Sequence, residues 1–384
     1  VLGRWQPPVL SPVAPATLLR ALPAILTRSG DAFDRLHRII RTRFSADHVA
    51  LTDSGTSALV LAFRYALPAR GTVALPAYAC VDLLAAAAFA GLRVRLYDVD
   101  PATLSPDLDS VRATLGRGAD GIVVAHLYGF PADVPAVASL AAEYGTVVIE
   151  DAAQHAAGTL RGKPLGAFGP FVVLSFGRGK GTTGGSGGAL LSRDPFPEWQ
   201  PPAAATGWRD WFVTAAQLAI GRPSLYAIPA SMPGLRLGET IYKEAHEPRS
   251  ISYAAAALAA DALAVADGEA VRRTWYARRI IDLLSGTPGL DIVQPVSGGT
   301  SGYLRLPVLD SVGRHAAPRL GVVRSYPRPL GEESAASGLL APGEPATPRA
   351  RGVCASLFTL PTHARIDEAD REQLSLWART DRSP

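Results

Sequence analysis

The chain has 384 residues, 48% hydrophobic and 19% charged, enough apolar material for a substantial core and two domains. Its formal charge of +4 comes from scattered arginines rather than a basic block, which argues against nucleic-acid binding and suits a small anionic substrate. The two cysteines, Cys80 and Cys354, offer neither a disulfide framework nor a metal-ligand spacing, so no metal is expected and a reducing cytoplasm is the expected compartment. The opening is too broken by proline to read as an export leader, no apolar run reaches the length of a spanning helix, and no solenoid-type repeat is present.

Residues 1–45 read as an arm and lead-in. The proline-rich opening is expected to be extended, and residues 32–43 have the helical spacing of Phe33, Leu36, Ile39 and Ile40. Residues 48–52 read as a strand ending at Asp53-Ser54-Gly55-Thr56-Ser57, with a helix over 58–67 directly after it. A glycine and hydroxyls at a helix N-terminus suit a phosphate, because free N–H groups and the helix dipole face the anion. The same residues also make an ordinary helix cap. Further strands are predicted at 72–76, 94–97 and 122–125, with helices over 81–90 and 136–144. His126, at the end of one of these strands, is read as pinning the strand end rather than as catalytic. Strands alternating with helices imply a mainly parallel sheet covered on both faces.

The next stretch carries the chemistry. Val147, Val148 and Ile149 form a β-branched run suited to a strand buried on both faces. The run ends at Glu150-Asp151, at the strand end where open α/β sheets place ligands. A second apolar run over 171–176 contains Ser175, and Lys180 follows in a glycine-rich loop. Burying a lysine is costly unless its amine has a chemical role, and an amine with a lowered pKa forms a Schiff base with an aldehyde. With an aspartate available for a pyridinium nitrogen, the two runs suggest a pyridoxal phosphate (PLP) site. Singly, Asp151 also reads as a cap and Lys180 as a turn residue; their conjunction carries the reading.

Beyond residue 188, residues 189–192 finish a strand and 208–242 are unusually apolar, suited to core, subunit contact or a membrane-surface face. Residues 251–284 read as one alanine-rich helix or as two broken near Asp267-Gly268, and 301–308 as a strand.

The ordered set E-D-A-A-Q (150–154) and S-F-x-x-x-K-x-T-T-G-x-x-G-G (175–188) resembles the DegT–StrS sugar aminotransferases, which are fold-type-I PLP enzymes. The resemblance runs from about residue 44 to about residue 373 and also includes S-G-T-S-A-L (54–59) and L-P-T-H (360–363). It implies an α/β fold with a large PLP-binding domain over 46–245, built on a mainly parallel sheet, and a smaller C-terminal α/β domain over 246–384. It implies that Lys180 binds the cofactor aldehyde, Asp151 its ring nitrogen and Gln154 its ring hydroxyl, while Ser175, Gly55 and Thr56 bind its phosphate. Ungapped spacing puts the ring-stacking aromatic of the family at Cys80, with Tyr78 as the other candidate.

The activity implied is transfer of an amino group from an amino acid such as glutamate to a nucleotide-linked keto-deoxy sugar, in a homodimer. Arg178, Arg324 and Arg328 are candidates for contacting a diphosphate or carboxylate. The chain departs from the family pattern at Glu247-Pro248-Arg249, in the extra residue of 182–188 and at Ser325, all around substrate and subunit contacts. A lipid-like or other non-sugar carbonyl, with peripheral membrane contact through 208–242, therefore stands as an alternative, as does a non-enzymatic regulatory or scaffold role.

Overall fold

The computed structural model describes residues 4–11, 13–231 and 241–380. After an extended arm the first half runs α1 (Pro15–Thr27), α2 (Asp31–Phe44), β1 (His48–Thr52), α3 (Gly55–Ala66), β2 (Thr72–Pro76), α4 (Asp82–Phe89), β3 (Arg93–Tyr97), α5 (Leu108–Leu115), β4 (Gly121–Ala125), α6 (Val134–Glu143) and β5 (Val147–Asp151). A short hairpin, β6 (Thr159–Leu160) and β7 (Lys163–Pro164), precedes β8 (Phe171–Ser175) and β9 (Gly188–Ser192). The second half adds α7 (Trp208–Ile220), α8 (Pro223–Ser231), α9 (Tyr253–Ala264), α10 (Ala266–Leu284), β10 (Leu290–Ile292), β11 (Gly299–Thr300), β12 (Leu306–Asp310), α11 (Pro348–Ser356), β13 (Leu357–Leu360) and α12 (Glu368–Arg379).

Seven strands form one sheet in the order β1-β9-β8-β5-β4-β2-β3. Only β9 is antiparallel to its neighbours, so the other six strands end at one edge. Alternation along β5 shows why its sequence is apolar throughout. Ile149 joins Leu75, Val123 and Val173 under α3 and α4, whereas Val148 joins Ile122, Val124 and Tyr97 under α5 and α6. Fully burying each such aliphatic side chain contributes about 1.5–3 kcal/mol. Towards β1, the second face is covered instead by α2 and the alanines of α9.

A separate core, containing Ile280, Leu306, Phe358 and Trp377, surrounds the antiparallel sheet β10-β12-β13. The expected boundary at 245/246 lies ahead of α9, whose Ala255, Ala256 and Ala259 belong to the core with α2; the second core begins inside α10.

Several elements differ from expectation. The alanine-rich stretch is two helices, but they divide at Val265 rather than at Asp267-Gly268. Asp267 lies in the first turn of α10, where the helix dipole favours an acid, and it pairs with Arg43. The strand expected over 301–308 starts only at Leu306. Gly302 is pressed against the Ala156 carbonyl, and Tyr303 has a left-handed φ of 43°, so extended pairing cannot begin earlier. The opening is extended only ahead of α1, a helix with proline in its first turn and another at Pro23.

Of the apolar 208–242 segment, residues 232–240 lie outside the described residues. Helix α7 turns Trp211, Ala215 and Leu218 onto Leu18 and Ala21 of α1, and leaves Trp208 and Phe212 exposed. Among the described residues no helix is long and apolar enough to cross a membrane.

Candidate active site

The strand edge first presents a phosphate-sized cradle. Ser54 caps α3 in extended conformation, its Oγ accepting the Ser57 N–H at 3.0 Å, a contribution of about 1 kcal/mol to the helix. The N–H groups of Gly55 and Thr56 have no acceptor among the described residues. Residue 55 has to be glycine, because a Cβ there would stand 2.8 Å from the Ser175 Cβ. The end of β8 is thus laid against the first turn of α3, and its hydroxyl joins two open N–H groups and the positive end of the helix.

Next along this edge are two carboxylates that β5 sends to opposite faces. Glu150 is fully buried and accepts from His126 Nε2 at 2.8 Å and from the N–H groups of Gly166, Phe168 and Gly169 at 2.6, 2.8 and 2.7 Å. Burial opposes its charge, but the histidine and the amides outweigh burial and hold its pKa below the ordinary value. His126 Nδ1 accepts the Ala132 N–H at 3.0 Å, which puts the ring proton on Nε2. His126 therefore pins the strand end, as read from the sequence.

Among the described residues Asp151 accepts only the Ala153 N–H, at 3.0 Å on Oδ1. Burial raises its pKa, opposed by that amide, by Lys180 and by His126. Its Oδ2 has no donor among the described residues and can accept one from a protonated heteroaromatic nitrogen.

Lys180 lies within electrostatic reach of both Asp151 and Cys80. It is half-buried rather than sealed in the protein. Its loop is held by Gly184 N–H and Thr183 Oγ1 donating to the Phe176 carbonyl at 2.8 and 3.3 Å, and by Thr182 against His155 at 3.4 Å. Burial first, then the nearby Arg43 and Arg273, pushes the pKa of His155 down to about 3, so this support is neutral. The N-terminal arm lies across the same loop, with Ser11 Oγ donating to the Lys180 carbonyl at 3.5 Å. Composition carries a further signal: of 38 basic residues only Lys163, Lys180 and Lys243 are lysines. A chain that otherwise uses arginine keeps a primary amine in this loop.

An aromatic wall completes the site. Tyr78 is fully buried, its hydroxyl 2.8 Å from that of Tyr128 and its ring edge-on to Tyr326 at 5.2 Å. Cys80 is half-buried, and burial together with Asp82 pushes its thiol up to about 12. Gln154 accepts the Tyr128 N–H at 3.1 Å and donates to Tyr326 Oη at 2.9 Å, leaving one N–H and one lone pair for a ligand.

The sequence reading passed over Tyr128, Tyr326 and Arg305. The signal for Tyr128 is local: it holds a left-handed φ of 57°, a strained conformation of the kind that clusters at functional sites. The three candidate substrate arginines are not brought together. Arg178 and Arg328 are exposed, and Arg324 donates to the carbonyls of Cys354 and Ala355 and lies over the Phe358 ring. The groups that do converge fit a phosphorylated heteroaromatic aldehyde: a cradle for its phosphate, an acid for its ring nitrogen and an amine for its carbonyl.

The chain is similar to proteins of known family and structure. The model of the DegT/DnrJ/EryC1/StrS aminotransferase family matches residues 16–198. The chain is 34% identical over 150 residues to a dTDP-4-dehydro-2,3,6-trideoxy-D-glucose 4-aminotransferase of Saccharopolyspora spinosa, covering 39% of each. It is 32% identical over 191 residues to an L-glutamine:scyllo-inosose aminotransferase of Streptomyces griseus, covering 50% of this chain and 41% of the relative. The matches thus span about two fifths of these curated relatives. The crystal structure of the aminotransferase TlmJ from Streptoalloteichus hindustanus superposes with a TM-score of 0.76 over 98% of both chains at 23% identity, which shows the shared fold. Over residues 16–198, the stretch that carries Gly55, Asp151, Ser175 and Lys180, the chain is similar to the DegT/DnrJ/EryC1/StrS aminotransferase family.

Proposed function

We propose that the chain is a PLP-dependent aminotransferase that moves an amino group from glutamate or glutamine to the keto group of a nucleotide-linked keto-deoxy sugar. The observation that carries this reading is the convergence of Lys180, Asp151 and the Ser175–α3 cradle on one strand edge. Bound there, PLP supplies an aldehyde that takes up the amino group and a ring that withdraws electrons from the donor's α-carbon.

The chain's own groups do the rest. The Lys180 amine would hold the aldehyde and would carry a proton to and from the reacting carbon. Asp151 would keep the ring nitrogen protonated; burial disfavours its charge, and a facing cation would offset that cost. Ser175, Gly55 and Thr56 would anchor the phosphate, and the Tyr78–Tyr128–Tyr326 wall with Gln154 would limit water beside the ring.

The keto-sugar acceptor and the glutamine-type donor are supported by the names of the two curated relatives. We place the arm at 1–45, the cofactor domain up to α10 and the smaller domain after it. The two free cysteines suit a reducing cytoplasm, and the exposed Trp208 and Phe212 suit a homodimer, which light scattering would test. For the activity, protein reconstituted with PLP should absorb in the visible, lose that band with glutamate or glutamine, and regain it with keto-sugar nucleotides. Protein that takes up no PLP contradicts the proposal, and recovery with aliphatic ketones alone overturns the sugar acceptor.

A further inference from the structure

Among the arginines at the meeting of the two cores, Arg305 has an unusual set of neighbours. It directly precedes β12, and its backbone runs beside the Tyr128 carbonyl, which accepts the Leu304 N–H at 2.9 Å. Its Nη1 donates to Ser325 Oγ at 2.9 Å and Thr359 Oγ1 at 3.4 Å. Its charge reaches the hydroxyls of Tyr128, Tyr226 and Tyr326, two of which belong to the wall of the site.

Other enclosed arginines are neutralised or turned to carbonyls: Arg314 pairs with Asp310 at 2.7 Å, Arg95 with Glu344 at 2.7 Å, and Arg273 binds the Gly302 and Ala156 carbonyls. Arg305 has no carboxylate partner among the described residues. Its Nε and Nη2 carry no hydrogen bond among these residues and are not among the sealed, unsatisfied atoms, so one edge of the guanidinium fork is open.

We infer that Arg305 holds the carboxylate of the amino donor, through the open edge of its guanidinium and with Tyr128 and Tyr326 beside it. A fork edge matches a planar carboxylate in a two-point contact. A diphosphate carries more charge and calls for further cations, but Arg324 is turned to backbone carbonyls and Arg178 and Arg328 are exposed. This inference rests on the aminotransferase reading and adds a residue that specifies its first substrate.

The test uses full-length protein loaded with PLP and the common amino acid that bleaches the wild-type visible band. In R305Q the band before donor addition should be unchanged, and the donor concentration for half-bleaching should rise at least about tenfold. R305K, which keeps the charge but loses the fork, should fall between the two. The KM for the carbonyl acceptor should stay near wild type in both variants. An unchanged donor dependence in R305Q, or a loss that falls on the acceptor instead, overturns the role of Arg305 while leaving the aminotransferase standing. Wild-type protein without the band, or with a band that no amino acid bleaches, defeats the functional reading and this inference with it.

Discussion

Glu150 and Asp151 are neighbours in the chain and opposites in the fold. Glu150 points towards α5 and α6, where four donors satisfy it and hold its pKa low. Asp151 points towards α3 and α4 with one amide donor, and burial holds its pKa high. A carboxylate whose needs are met internally has little left to offer a ligand and serves the fold. One left short of donors, at an open strand edge beside an amine, is kept at a cost in stability that a cationic partner offsets. The two-residue period of the strand thus gives adjacent residues of similar chemistry opposite surroundings, which under the proposed function divides them between stability and catalysis.

The largest expected effect separates them by activity. Under the proposed function Asp151→Asn should lower transamination by about 10²-fold or more, since the ring nitrogen of a bound PLP would lose its counter-charge, while the unfolding midpoint stays or rises. Glu150→Gln should do the reverse: a loss of about 2–4 kcal/mol in denaturant unfolding, with activity per folded molecule little changed. Exchange of these two outcomes would break the comparison.

A smaller effect sharpens it through pH. The folded pKa of Glu150 is depressed, so its stabilisation is fully present above its ordinary value of 4.5 and fades as pH falls through the lower folded value. Glu150→Gln should flatten that acid limb of the stability profile. Asp151 acts with the opposite sign: its penalty is complete above its raised folded pKa and is relieved as pH falls towards the ordinary 3.8. The stability advantage of Asp151→Asn should therefore be largest near neutrality and close on acidification. The smallest effect concerns the neighbour of Lys180: with its thiol pushed up to about 12, Cys80 should react with a thiol reagent at pH 8 far more slowly in folded than in unfolded protein.

Much of this division was legible in the sequence. The β-branched run before Glu150-Asp151 places both acids at a strand end, and the glycine loop sets Lys180 beyond the next strand. What the sequence left open depends on contacts between distant segments. Three of the four donors to Glu150 are loop amides at 166–169, which carry no side-chain signature; only His126 does. Tyr326 meets Gln154 from 172 positions away, and Arg305 stands out only once the acids that might have paired with it are seen to be elsewhere. Arg324, attractive as a charge beside Tyr-Pro, is claimed by the end of α11. The break at Val265 was misplaced because Gly268 looks like a breaker, while the acids of the first turn of α10 favour helix there.

The central claim is that the face of the sheet bearing Asp151 holds PLP through Lys180. Reduction of the PLP-treated protein with borohydride, followed by peptide mapping, tests it directly, because the chain offers only three lysines. The pyridoxyl mass should appear on the peptide containing Lys180, and Lys180→Ala should lose it while remaining folded. Label on Lys163 or Lys243 in place of Lys180, or no label, would contradict the account.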